Sequence, residues 1–526
     1  MVNFKGQGNL SISPIFWKKE GFMARYKPNE FAQNLLIPIS LQEQIMPGSL
    51  EYAICTLVDE RMDMSLFDEK YRNDDMGRRA YDPRILLKVV LLGYSRGLIS
   101  SRKIEQACRE NVVFMALSSG QYPDHSTIAT FVASMKEEIL PLFRDVLLVC
   151  EEMELLGGTL FALDGCKLPS NASKQWSGSV NDLKRKQAKL EEKVKELLVE
   201  QEKEDFEDGD EPLVLDNRCH QQKQVEKLQR QAERIEAWLK ENGKRIGMRG
   251  KEIKSNITDN ESTKMLTSHG TIQGYNSQAM VDSKNQVIIH AEAFGNGQDH
   301  SHVPPMLDGA KENMESIGHS SDYFKEKTLT ADSNYHSKEN MQKCIDEEVD
   351  AYIPDREFRT RDPRFAGQER YGHKKRTRYG LDDFRYDKER DQYECPNGKR
   401  LCLKEKMHRL TGTLYRIYGA QENDCSSCIK RSKCLNRNGN GPRTLSVPIG
   451  PDGINLTKLM VEKIESEQGR SIYQKRMAIV EPVFANLRIH KRLDRFTLRG
   501  KIKVNIQWML YCMVHNIEKI ANYGLA

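Results

Sequence analysis

No stretch of this sequence approaches the ~20 consecutive apolar residues that a bilayer-crossing helix needs. The first residues, with Lys5, Lys18, Lys19 and Glu20, lack the hydrophobic core of a signal peptide. A cytoplasmic protein without membrane contact is therefore expected. Charge of one sign is also missing, because 81 basic residues stand against 76 acidic ones and leave a net charge of only +5. That excludes a uniformly cationic protein and favours local basic stripes on a densely charged surface. Paired cysteines are scarce too. Of 12 cysteines only Cys425 and Cys428 form a C-x-x-C, so the second knuckle of a full zinc pattern is absent. In a large intracellular chain, thiols or metal ligands are expected before disulfides.

What is present begins with length: 526 residues allow roughly 3 or 4 domains at ~150 residues each. Residues 1–22 are polar and Gly-containing and are expected to be a flexible tail. Residues 23–150 carry helical patterning. Asp82-Pro83, Ser100 and Asp124 each read as helix starts, and Gly93 and Gly97 flank an expected helix end. Such a helical domain suits DNA binding, through helix N-termini and basic side chains on phosphate, or dimerisation.

The stretch Leu160 to Lys167 then delivers four apolar residues, Asp164 and Gly165, as a buried strand does when it carries an acid to the lip of a sheet. Residues 179–250 show two apolar series, one through Leu183, Leu190 and Leu197, the other through Val225, Ala232 and Leu239. They predict a helical arm with a charged tip.

Tyr275–Asp282 and Gln286–Phe294 read as a β-hairpin. A helix from Val303 and another from Ser337 flank a strand that ends in Asp332, and a last strand covers 349–354. Three antiparallel strands followed by two parallel ones with helical crossovers form a mixed five-stranded sheet. That is the order of a ribonuclease H-like α/β fold, here spread over residues 151–355.

Residues 356–470 interrupt it as a basic and Cys-rich insertion, with Arg356, Arg359, Arg361, Arg364, Arg370, Lys374, Lys375, Arg376 and Arg378 at its start. Cys395, Cys425, Cys428 and Cys434 are the expected structural Zn²⁺ ligands, with Cys402 as a substitute and free buried thiols as the alternative. The closing region, 471–526, holds Tyr473, Arg476, Glu481, Phe484 and Arg488 within one side of a helix at ~100° per residue. Pro482 interrupts its backbone ladder. Arg488, His490, Lys491, Arg492, Arg495 and Arg499 follow as a basic strip suited to nucleic acid. His515 reads as a packing residue.

Four blocks in this order, DGCKLPSNAS, GYNSQAMVD, ADSNYHS and YQKRMAIVEPVFANLR, resemble the catalytic blocks of bacterial insertion-sequence transposases with a DDE acid triad, most closely the insertion sequence 1182 type. The segment YDPRILLKVVLLGYSRGLISSRKIEQACREN with PDHSTIATF is similar to that family's N-terminal domain. The resemblance implies Asp164, Asp332 and Glu481 as the triad, holding two Mg²⁺ (or Mn²⁺) ions. It implies Tyr473, Arg476, Arg488 and Lys491 as contacts to DNA. The implied partners are double-stranded DNA, both element ends and target, and a second copy of the chain, as a homodimer or higher on DNA near the nucleoid. The family spaces its last block as Tyr, two residues, Arg, three residues, Glu, six residues, Lys. Here four residues separate Arg476 from Glu481 and Arg488 replaces the lysine, keeping the charge. Two other outcomes remain open: a DNA-binding regulator without chemistry, and a nuclease without strand transfer.

Overall fold

The computed structural model describes residues 40–524 apart from 69, 71–79, 208–211, 248–249, 269, 366, 369–377, 411–412, 436–440 and 450–454. The expected tail, and Arg370, Lys374, Lys375 and Arg376, lie outside the described residues. Leu41–Ala526 is one compact unit.

The helical starts form where the capping residues are. Helices α1 (Leu50–Thr56), α2 (Pro83–Ser95), α3 (Ser101–Glu110), α4 (Val112–Leu117), α5 (His125–Ser134) and α6 (Ile139–Glu152) open the unit. The side chain of Asp82 accepts from the Arg84 amide, that of Ser100 from Lys103, and that of Asp124 from Ser126 and Thr127. Each cap satisfies an amide that the first helical turn leaves without a partner. The helix end that Gly93 and Gly97 are expected to flank falls between them, at Ser95. Gly93 lies inside α2, where an added Cβ would stand 2.8 Å from Ile104, so its small size lets α3 approach.

Strand β1 (Leu160–Pro169) is the middle of the main sheet. It is followed by β2 (Thr263–Thr267), β3 (Gly270–Asp282), β4 (Ile288–Phe294), β5 (Thr328–Ala331) and β6 (Asp350–Tyr352). The order is β6-β5-β1-β3-β2, with β4 also paired to β3. β3 is antiparallel to β1, β2 and β4, whereas β1, β5 and β6 run parallel. This mixed α/β arrangement is compatible with the expected ribonuclease H-like order. The expected five strands become six because β2 folds back on the first residues of β3. α9 (Val303–Ser316) and α10 (Lys338–Asp346) make the crossovers.

The arm consists of α7 (Val180–Glu207) and α8 (Pro212–Glu241), packed through Leu183, Ile235 and Trp238 and, further out, through Val194, Leu197 and Val225. The insertion holds a second sheet that the charge-rich sequence concealed. Its five antiparallel strands are β7 (Arg385–Asp387), β8 (Gln392–Glu394), β9 (Arg400–Leu410), β10 (Thr413–Ala420) and β11 (Thr444–Ile449), in that order.

α11 (Leu456–Glu465), α12 (Glu467–Ala485) and α13 (Lys501–Lys519) complete the unit. α13 joins the sheet to the first helices: the Trp508 indole N–H donates to the Gln278 carbonyl at 2.9 Å, and Tyr511 stacks on Tyr94 at 4.4 Å. One continuous hydrophobic core therefore runs from Ala53 through the sheet to Ala521. His515 is buried in it, accepts its packing role, and has its pKa pushed down to about 3 by burial.

Candidate active site

β1 and β5 are parallel and in register, with Leu163 beside Ala331. The next residue after each of these is an aspartate, so Asp164, midway along β1, and Asp332, just past the end of β5, stand side by side at the ~4.8 Å spacing of paired strands. Each is anchored by the backbone that follows it. Asp164 Oδ1 accepts from the Gly165 amide at 2.8 Å, and Asp332 Oδ1 accepts from the Ser333 amide at 2.6 Å as the cap of a 3₁₀ turn, Ser333–Tyr335.

The charge facing this pair comes from α12. Arg476 is buried, and its Nη1 donates to Asp164 Oδ2 at 2.8 Å. Burial raises the Asp164 pKa above its ordinary value; Arg476 opposes that rise and Asp332 adds to it. Two carboxylates at one strand edge repel, and a guanidinium against them offsets part of the cost of confining both. Tyr473, one turn earlier, is half-buried, with its ring 5.9 Å from the Arg476 guanidinium and 5.4 Å from the Phe358 ring. Its hydroxyl pKa is raised by burial, with Arg476 opposing and Asp332 contributing. Asp164, Asp332, Arg476 and Tyr473 thus come together.

Glu481 lies elsewhere on the same helix, and Arg488 in the turn after it. Arg476, Ile479, Val480 and Val483 form the buried side of α12. Glu481, five residues past Arg476, is turned about 140° from it at ~100° per residue and is exposed, as is Arg488. Among the described residues no hydrogen bond or ion pair joins Glu481 to either aspartate. Pro482 cannot donate to the Ala478 carbonyl, and the Gln286 side-chain amide takes that acceptor at 3.0 Å. Just beyond, Asn486–His490 widens into a π-helical turn.

Lys491 departs from its expectation as a DNA contact. Its side chain is fully buried, and its Nζ donates to Glu518 Oε2 at 2.5 Å and Asn486 Oδ1 at 2.9 Å. Leu487, Leu493 and Phe496, all buried, draw the segment inward. A long-range carboxylate on α13 turns an apparent surface lysine into a structural cation. Among the other residues of that strip, Arg492, Arg495 and Arg499 are exposed.

The four expected zinc ligands all lie in the insertion that carries the second sheet. Cys395, Cys425 and Cys434 pack on the small core of Phe384, Leu401, Tyr418 and Leu445. Cys395 Sγ accepts from the Lys399 amide at 3.3 Å, and Cys425 Sγ from the Arg443 amide at 3.4 Å. Burial pushes the Cys434 thiol pKa up, and Cys425, Cys395 and Cys428 each add to that rise. Cys402 is exposed on β9, paired with Gln392 and Gly419, and is not in this group. Among the described residues, no three His, Cys, Asp or Glu side chains are already drawn into a metal-holding cluster.

Two sequence families match the chain. Residues 394–521 match the family described as transposase DDE domain, and residues 39–134 match a transposase domain of the DUF772 type. The first segment spans β9 to β11 of the second sheet, Cys395 to Cys434, Tyr473, Arg476, Glu481 and Arg488; β7, Asp164 and Asp332 lie outside it. No curated protein matches. Among the described residues no helix is long and apolar enough to cross a membrane. The two matches support an insertion-sequence transposase; DDE transposases act on DNA and generally use divalent metal ions.

Proposed function

We propose that this chain is a DNA transposase of the insertion sequence 1182 type, with a ribonuclease H-like catalytic core. It binds the ends of its element, cuts them, and joins the freed 3′ ends to target DNA. The observation that carries the proposal is the pairing of Asp164 with Asp332 on adjacent parallel strands against a buried arginine. The donor set fits Mg²⁺ or Mn²⁺, because hard divalent ions take carboxylate oxygens and need neither thiolate nor imidazole. Asp164 and Asp332 would hold the ions, with Glu481 as third acid, and two such ions would offset charge on the phosphodiester oxygens being attacked and released.

The chain's own groups set up the rest. The Gly165 and Ser333 amides fix one oxygen of each aspartate, while the other is met by Arg476 at Asp164 and by the Asn334 side-chain amide at Asp332. Arg476, poised on Asp164, supplies positive charge beside the scissile phosphate, and Tyr473 limits where that guanidinium swings. Arg488, Arg492, Arg495 and Arg499 hold backbone phosphates of the flanking duplex, which makes end binding steeply salt-dependent. Cys395, Cys425, Cys428 and Cys434 bind a structural Zn²⁺ that braces the second sheet. Action at paired ends makes a dimer or larger assembly on DNA the working form.

The test is incubation of the full chain with end-containing DNA, a target plasmid and MgCl₂. Cut ends and joined products are expected, both lost in Asp164→Ala. Cutting without joined products would identify a nuclease instead. Binding without cutting would identify a regulator, a reading favoured by the outward-facing Glu481.

A further inference from the structure

Behind the two aspartates, on the opposite face of β1, runs a polar chain that the proposed chemistry leaves unused. Asp299, in the loop between β4 and α9, has one oxygen, Oδ1, that accepts from Asn276 Nδ2 at 2.6 Å and from Gln278 Nε2 at 3.0 Å. Gln278 Nε2 also donates to Asn276 Oδ1 at 3.0 Å, and its own Oε1 accepts the Tyr335 hydroxyl. Asn276, Gln278 and Tyr335 are all buried, so a lost partner here is not replaced by bulk water.

Two features link this chain to the acids. Gly165, the residue after Asp164, pairs in register with Gln278, and a Cβ there would stand 2.1 Å from Gln278 Nε2. The missing side chain is what lets the amide lie against the strand. Tyr335 closes the three-residue turn that Asp332 caps, so a shift of its ring moves the Asp332 carboxylate. Burial, then Asp299, Asp164 and Asp332, hold the tyrosine hydroxyl well above its ordinary pKa, which keeps it a donor.

We infer that Asp299 is a positioning residue: acting through Gln278 and Tyr335, it fixes where Asp332 stands relative to Asp164. The inference rests on the reading of those two aspartates as metal-holding acids. Asp299→Ala removes the oxygen that accepts from both buried amide donors. Tyr335→Phe removes one O–H and keeps the ring, which serves if the first variant fails to fold.

The experiment measures Mn²⁺ binding to the full chain without DNA, half-activating Mn²⁺ and Mg²⁺ for end cleavage, end-DNA affinity in EDTA, and the thermal midpoint. Either variant is expected to weaken Mn²⁺ binding and raise half-activating metal about 10-fold, the low end for groups that orient ligands from behind, with end-DNA affinity unchanged. Unchanged metal dependence beside a lowered midpoint would overturn the inference, because a purely structural role predicts that. If the unaltered chain binds Mn²⁺ without cutting ends, the transposase reading fails while the positioning role is still read from Mn²⁺ affinity. If the unaltered chain binds no Mn²⁺, both fall.

Discussion

Replacing Arg476 by methionine keeps the length of the side chain and deletes the charge that faces Asp164. Losing one member of a buried pair costs ~3–5 kcal/mol when the survivor stays fully buried. Asp164 keeps 25% of its side chain in solvent, so about 2 kcal/mol is expected at neutral pH after allowing for screening. The pH dependence has a definite sign. Burial holds the folded-state pKa of Asp164 above the ordinary carboxylate value, so its protonation favours the fold at low pH, and that contribution is lost as pH rises through the folded value. Without Arg476 the folded value climbs further. The gap between the unaltered chain and Arg476→Met should therefore be small near pH 4 and widen toward pH 8.

Metal supplies a second arm. A cation at a hundredfold excess over its Kd adds ~2.7 kcal/mol, and in the unaltered chain it must first displace the guanidinium. Mg²⁺ should stabilise Arg476→Met more than the parent. Urea unfolding at pH 4.5 and 7.5, with and without MgCl₂, reads both effects. A gap that ignores pH, or equal stabilisation by Mg²⁺, would refute this account of Arg476 as the counter-charge of the acid pair.

Other outcomes follow from single contacts. Lys491→Met should lower stability by about 3 kcal/mol, because Glu518 loses its buried partner, yet leave the salt dependence of DNA binding unchanged; adding Glu518→Leu should restore most of the loss. Gly274→Ala should cost about 3 kcal/mol in urea unfolding, since its Cβ would stand 2.0 Å from the Leu168 carbonyl oxygen, a backbone atom that cannot swing aside. Metal analysis of the full chain should find one Zn²⁺ per chain, removable by chelators with loss of thermal stability and absent in Cys425→Ser; a zinc-free parent would reject the thiol site.

Much of the sheet was legible because its signals are local. A buried apolar run that stops at an acid marks both β1 and β5, and period-two patterning on either side of Ser283–Asn285 marks the hairpin. Once those strands are ordered, the parallel register alone sets Asp164 beside Asp332. The second sheet escaped notice because its exposed face is charged: along β9, Leu401 is buried while Lys404, Glu405 and Lys406 face water. Its period-two signal was present in Leu445, Val447 and Ile449. Partnerships across distance gave no signal at all. Arg476 meets Asp164 from 312 residues away, Tyr335 meets Gln278 from 57 and Lys491 meets Glu518 from 27, and no spacing rule reaches across separate elements.

Glu481 shows where a helical-face reading is insufficient. Tyr473, Arg476, Glu481 and Arg488 do fall within one broad side of α12 and the turn after it, but burial is narrower than that side: its centre passes through Arg476, Val480 and Val483, and the carboxylate falls over the edge into solvent. A rigid helix cannot aim both Arg476 and Glu481 at the aspartates. The place where α12 gives way is marked, since Pro482 breaks the ladder beside Glu481 and the Asn486–His490 turn is already widened; such interruptions permit local rewinding. Glu481→Gln should then leave the thermal midpoint of the metal-free chain unchanged, because an exposed side chain that pairs with none of the described residues is being replaced by one of equal size. The same variant should abolish end cutting in Mg²⁺ and remove most of the stabilisation that Mg²⁺ gives. Full cleavage by Glu481→Gln would show that the third acid is another residue.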